Sequence, residues 1–215
     1  MRIAHHPPQD LLLAYAGGGA DAATALIVAS HLAWCGACRA QVAAMENIGG
    51  ALLEDVPPIA LAPGALAATL ARLDSAAPDA PAPPRQPSRD GTPGPLRAFL
   101  GCDLSDVRWR RIGPRLAYLP LMRRGAMQMR LLRGAPGTEV GPHSHRGMEY
   151  TLVLRGGFSD VTGRYGPGDF QAASPDTRHN PIADPGEDCI NLAVTTAPLR
   201  FESLIQRIVG PLFGF

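Results

Sequence analysis

The sequence predicts an α + β protein of two domains, a small helical bundle followed by an all-β sandwich or barrel. Three observations carry this. Apolar residues recur at helical spacing before residue 74, alternate with polar ones after residue 96, and are nearly absent from a proline-rich stretch in between. Taken in order, Asp10 is placed to cap a first helix carrying Leu11, Leu12, Tyr15 and Ala16, which Gly17–Gly19 ends. Asp21 caps a second helix with Leu26, Ile27 and Ala29, reaching His31. A third is expected from Cys35 to Ile48, with Val42, Met45 and Ile48 on one side and Gly49–Gly50 as its stop. A fourth, Ala65 to Leu73, puts Leu66, Leu70 and Leu73 on one stripe. That stripe is either core packing or a face kept for a partner, the second favoured by so small a bundle beside a linker.

Seven prolines fall between Ser75 and Pro95 among Ala, Ser, Asp and Arg, a composition that buries too little to offset ordering. The expected boundaries are a helical domain at 1–74, a linker at 75–95 and a β domain at 96–215. In the β domain, Val107–Ile112, Met127–Leu132, Met148–Leu154, Phe158–Thr162, Asp169–Ala173 and Cys189–Thr195 read as strands separated by Gly/Pro turns. The chain end returns to helical spacing with Phe201, Leu204, Ile205 and Ile208.

The 215 residues are 46% apolar and carry a net charge of +1, enough for two cores and too little basic charge for sequence-independent nucleic-acid binding. All twenty basic residues are arginine, unevenly spread. Residues 1–84 hold three against seven acids, which suits a basic protein partner and argues against a DNA-binding zinc domain. No apolar run approaches the ~18–20 residues of a membrane span, and the opening MRIAHHPPQD lacks the pattern of a signal peptide. A cytoplasmic location is therefore expected. The four cysteines would then stay reduced, and metal or redox roles outrank a disulfide framework.

Two constellations carry chemistry. In HLAWCGACR, His31 precedes Cys35 by four residues and Cys38 follows three later. On a continuing helix these lie one turn apart, three corners of a tetrahedron whose soft thiolates and imidazole suit zinc. The fourth corner falls to His5 or His6, the remaining histidines being in the β domain. A structural zinc, worth roughly 10–16 kcal/mol in apparent binding energy, would hold together a bundle too small to do so easily. The second constellation is His143, His145 and Glu149, with His179 beyond further strands. Histidines two apart on a strand share a face, Glu149 can close on the same point, and His179 can complete a site for zinc, manganese, iron or nickel.

The stretch from Gly137 through HSHRGMEYTLVLRG to Gly156 matches the first cupin motif and implies a cupin double-stranded β-helix. The second motif is partly met, with Thr177 where the pattern has Gly and Ala183 where it has Asn. Together with HHPPQDLLLAYAGG and HLAWCGACR, the chain resembles the ChrR-type zinc anti-sigma factors over essentially its whole length. The resemblance implies a first zinc on His6, His31, Cys35 and Cys38 and a second metal, zinc or another divalent transition metal, on His143, His145, Glu149 and His179. It also implies a non-enzymatic regulator. Its helical domain would wrap and inhibit an extracytoplasmic-function-type (group IV) sigma factor, and its cupin would relieve inhibition under oxidative stress, from singlet oxygen or organic peroxides.

One departure bears on the signal. Where the family's best-studied member has a Cys-x-Cys pair in the late cupin strand, this chain reads Cys189-Ile190-Asn191, leaving Cys189 as a lone redox candidate with Cys102 a distant partner. The alternative function is a cupin metal-dependent oxygenase, whose pocket Met122, Met127, Met129 and Met148 would line.

Overall fold

Among the described residues, 2–75 and 88–201 of a computed structural model, helices come first and strands follow. The expected terminal helix through Leu204 and most of the proline-rich stretch lie outside the described residues. Helix α1 (Gln9–Ala16) starts on Pro8, whose carbonyl accepts from Leu11 N and Leu12 N. Asp10 thus falls inside the first turn rather than capping it, where a carboxylate still complements the helix dipole. Helix α2 (Ala22–Leu32) begins as expected: Asp21 accepts from Ala23 N and Thr24 N, both at 3.0 Å. It stops at Leu32 because Cys35 turns extended and becomes the N-cap of α3 (Gly36–Glu54).

Helix α3 runs straight through Gly49 and Gly50, where a stop was expected. Neither glycine has positive φ, so each costs only about 1 kcal/mol relative to Ala without ending the helix. Helix α4 (Ala65–Ser75) has no buried residue, and Leu66, Leu70 and Leu73 are all exposed. The stripe is therefore not core.

The strands are β1 (Arg110–Arg111), β2 (Leu116–Arg124), β3 (Met127–Gly134), β4 (His143–His145), β5 (Glu149–Arg155), β6 (Phe158–Asp160), β7 (Gly163–Tyr165), β8 (Phe170–Ala173), β9 (Ile182–Ala183), β10 (Cys189–Thr195) and β11 (Leu199–Phe201). One antiparallel sheet has the order β1-β2-β3-β10-β5-β8. The pairs β11-β4 and β7-β6-β9 form the other layer, with isolated bridges His143↔His179 and Glu139↔Ile182. This is the double-stranded arrangement of a cupin. The expected strand over Val107–Ile112 shrinks to β1 behind a 3-10 turn at Leu104–Asp106. Strand β2 escaped the periodicity because Pro120 interrupts it. Pro120 is tolerated because β1 pairs only with Ala117 and Tyr118 and the ladder to β3 bulges between Pro120 and Met122.

The helices do not build a core of their own. Ala23, Ile27, Val28 and Leu32 of α2 share one continuous cluster with Met129, Leu131, Leu152, Phe170, Leu192 and Val194 of the sheet. Helix α2 lies against β5, β10 and α5 (Gly94–Leu100), whose Leu96 is fully buried. The described end of the proline-rich stretch is hydrogen-bonded: Asp90 accepts from Thr92 N at 3.0 Å and Ser105 N at 2.7 Å. At ~1.5–3 kcal/mol per fully buried aliphatic side chain, α2 is held firmly on the sheet. The zinc-type motif at its end is carried there with it.

Candidate metal centres

Cluster 1 forms where α2 ends, α3 begins and the N-terminal segment crosses them. Extended Cys35 points its Sγ inward to accept from Cys38 N at 3.4 Å. His31 Nε2 lies 3.3 Å from Cys38 Sγ, and His6 Nδ1 lies 3.4 Å from both sulfurs. All four donor atoms fall within 4.8 Å of one another. Nitrogen and sulfur bound tetrahedrally at ~2.0 and ~2.3 Å from one zinc would be about 3.5 Å apart, so the spacing fits. Of the two N-terminal histidines, His6 reaches the cluster. His5 turns to Asp169, 3.6 Å from its Oδ2, and packs on the Tyr165 ring at 4.4 Å.

Electrostatics agree with a cation here. Burial, with Cys35 alongside, pushes the Cys38 thiol up to about 12, out of reach of ionisation at neutral pH unless a metal displaces the proton. Burial lowers His31 to about 4 despite the opposing Gly168 carbonyl, keeping it neutral, the form that ligates. His31 Nδ1–H donates to that carbonyl at 2.9 Å, which leaves Nε2 as the lone-pair nitrogen facing the cysteines.

Cluster 2 sits between the cupin layers. His143 and His145 point the same way from β4, Glu149 opens β5 after the Arg146–Met148 connection, and His179 is brought in by its bridge to His143. His179 Nε2 is 3.0 Å from His143 Nε2 and 3.1 Å from His145 Nε2, and Glu149 Oε2 is 3.5–3.8 Å from all three. His143 Nδ1–H donates to Gly141 O at 2.8 Å and His179 Nδ1–H to Asp160 Oδ2 at 2.7 Å. With each Nδ1–H donated outward, the two rings turn Nε2 toward each other and toward Glu149, an arrangement that suits a shared cation. The donor set fits a divalent transition metal.

Burial opposes the charge on Glu149, yet hydrogen bonds from His143 and His179 hold it well below the carboxylate range. Burial likewise opposes His179, but Asp160 and Glu149 outweigh it and raise it to about 9. His145 is lowered to about 4 by burial, against the pull of Glu149. Beside the cluster lies an apolar cavity lined by His143, Glu149, Phe158, Cys189, Asn191 and Leu199, among others. Cys189 is buried and its thiol pushed up to about 12, chiefly by burial, which suppresses the thiolate. None of the methionines expected to line an oxygenase pocket does so: Met129 is core, and Met122 and Met127 pack against it.

Sequence reasoning missed the residues behind the ligands. Asp160, Gln171, Asp169 and the Gly168 carbonyl belong to no motif, and only the pairing of distant strands marks them out.

A helical segment seated on a cupin, each bearing a cluster of four donors that could hold a metal, defines a class of two-cluster cupin protein rather than a bare cupin. The ChrR cupin-like domain family matches residues 98–199, and a zinc-finger family matches residues 9–39. The anti-sigma-E factor ChrR of Cereibacter sphaeroides is 44% identical over 213 residues, 99% of each chain. A crystal structure of Rhodobacter sphaeroides SigE in complex with the anti-sigma ChrR contains a chain 42% identical, with a TM-score of 0.79 over 90% of this chain and 100% of that one. The chain belongs to the ChrR family of anti-sigma factors, regulators and not enzymes. The oxygenase alternative is set aside on that ground.

Proposed function

We propose that this chain is a cytoplasmic, zinc-dependent anti-sigma factor that sequesters an extracytoplasmic-function-type sigma factor, with residues 1–74 as the binding domain, 75–95 as linker and 96–215 as the sensing cupin. His6, His31, Cys35 and Cys38 hold zinc. His143, His145, Glu149 and His179 hold zinc or another divalent transition metal. Oxidative stress, from singlet oxygen or an organic peroxide, acts on the cupin and releases the sigma factor. Cys189, lining the cavity beside cluster 2, is the redox candidate once that cavity opens.

The observation that carries the sigma-binding reading, beside family membership, is an uncovered apolar face. Of the large apolar side chains left exposed among the described residues, most lie between Ile48 and Leu73, with Ile59 90% and Leu61 77% exposed. A face of this kind, on the second half of α3, α4 and the loop between them, marks a protein-binding surface. Among the described residues no helix is long and apolar enough to cross a membrane, which supports a partner in solution.

Affinity capture of the tagged chain from its own cells, with mass spectrometry, tests the reading. A near-stoichiometric sigma factor is expected, lost from Cys35→Ser and weakened at least tenfold by Leu70→Asp. Because Leu70 is exposed, that change should move stability by no more than about 0.5 kcal/mol. Sigma binding that survives loss of zinc would overturn the mechanism.

A further inference from the structure

Four consecutive residues, Gly168 to Gln171, touch the surroundings of both clusters. On one side, the Gly168 carbonyl fixes His31 Nδ1 at 2.9 Å. Asp169 Oδ1 accepts from Ala4 N at 2.7 Å and His5 N at 2.9 Å, holding the backbone that delivers His6. Phe170 N donates to His5 O at 3.1 Å, and its ring meets that of His31 edge-on at 5.9 Å. On the other side, Gln171 Nε2 donates at 2.8 Å to Asp160 Oδ2, the oxygen that fixes His179 Nδ1. The same stretch is laddered to the strand carrying Glu149: Gly168 N donates to Val153 O, Val153 N to Asp169 O, and Glu149 pairs with Ala173. The two sets of contacts are three residues apart in the chain, at most about 10 Å even if it were fully extended.

We propose that Gly168–Gln171 is an outer shell shared by the two clusters, so that metal occupancy at one alters how tightly the other holds its metal. Asp169 is the positioning residue for cluster 1, and Gln171, acting through Asp160, is the one for cluster 2. The inference rests on the reading that both clusters hold metal. Partners that orient ligands typically control metal affinity by 10–100-fold, and a segment that orients ligands at two sites couples them. Such coupling is reciprocal by linkage. It gives the cupin a physical route to the zinc on which sigma binding is proposed to depend, without a change in any ligand.

The test uses the full chain loaded with cobalt(II). Cluster 1 has two thiolates and cluster 2 none, so thiolate-to-cobalt absorption reports cluster 1 alone. Its decay is followed under a chelator. Asp169→Asn is expected to lose the signal about tenfold faster and to shift the visible bands, with helix content unchanged. His145→Ala, which disables cluster 2, is expected to speed loss from cluster 1 severalfold. The effects of His145→Ala and Asp169→Asn should fall short of multiplying in the double variant, as expected for sites that share a coupling element.

Wild-type decay in His145→Ala, or effects that multiply, would overturn the proposal. If His145→Ala does not fold, Gln171→Leu carries the test with all eight donor residues in place. Faster cobalt loss from cluster 1 supports the shared shell, and an unchanged rate refutes it. A wild-type chain with no thiolate-to-cobalt absorption overturns the metal reading itself, and the proposal with it.

Discussion

The two clusters are assembled by the same device in opposite surroundings. Each takes three donors from one short stretch and completes itself with a distant histidine, His6 in one case and His179 in the other. Cluster 2 is walled in by two sheets, all four donors are buried, and hydrogen bonds donated by its rings to Gly141 O and Asp160 Oδ2 aim them. Cluster 1 sits on a seam. Its His6 is exposed, burial pushes its Cys38 thiol away from ionisation, and it lies where α2 ends, α3 begins and the N-terminal segment crosses them. The difference teaches that preorganisation comes from the surrounding fold. The cupin layers themselves hold the rings of cluster 2, whereas cluster 1 is closed by an exposed His6 on a crossing segment, so a metal bound there would add more to local order.

The strongest attack on this contrast is Cys38→Ser. A structural zinc contributes roughly 10–16 kcal/mol of apparent binding energy, so its loss should release α1 and α3 from the seam. Hydrogen exchange is expected to show amides of α1 and α3 unprotected while β3, β5 and β10 stay protected. Equal loss in the sheet would mean that one shared core makes a single cooperative unit, and the contrast would collapse.

A smaller change sharpens the other side. Asp160→Asn removes the charge behind His179, whose pKa should fall from about 9, and metal affinity at cluster 2 should drop about 10–100-fold with the fold intact. Metal content after dialysis, set against an unchanged circular dichroism spectrum, checks this. Retention of the metal at wild-type affinity would show that the β framework alone positions His179.

The smallest effect supplies the baseline. Asp21→Ala deletes the cap of α2 and should cost about 1 kcal/mol, read as a shift in denaturant midpoint, with metal content unchanged. If metal is lost as well, weakening any helix near the seam empties cluster 1, and the Cys38 result loses its meaning.

Much of the site was legible because its chemistry is local. His31, Cys35 and Cys38 fall within eight residues, and His143, His145 and Glu149 within seven, so donor type and spacing are enough to bring them together. The strands with clean alternation, Met127–Leu132 and Cys189–Thr195, appear where periodicity puts them. Elements decided by their neighbours were not legible. Pro120 hides a nine-residue strand that only a bulge and a very short edge partner make possible. Gly49–Gly50 reads as a stop but passes unnoticed in a helix that needs no side chain there. The stripe on α4 could be core or interface until the sheet was seen to be covered by α2 instead.

From its residues alone this protein was committed to two metal-type donor sets, one soft and one harder, to helices before strands, and to the ChrR family. Those are properties of residue type and of spacing along a chain. Tertiary structure decided that His6 and not His5 closes cluster 1, that α2 shares its core with the sheet, and that Gly168–Gln171 stands behind both clusters. The reason is physical. A ligand is named by its side-chain chemistry, but its aim is set by whichever carbonyl or carboxylate packing brings within 3 Å. In this chain those partners lie up to 137 residues away.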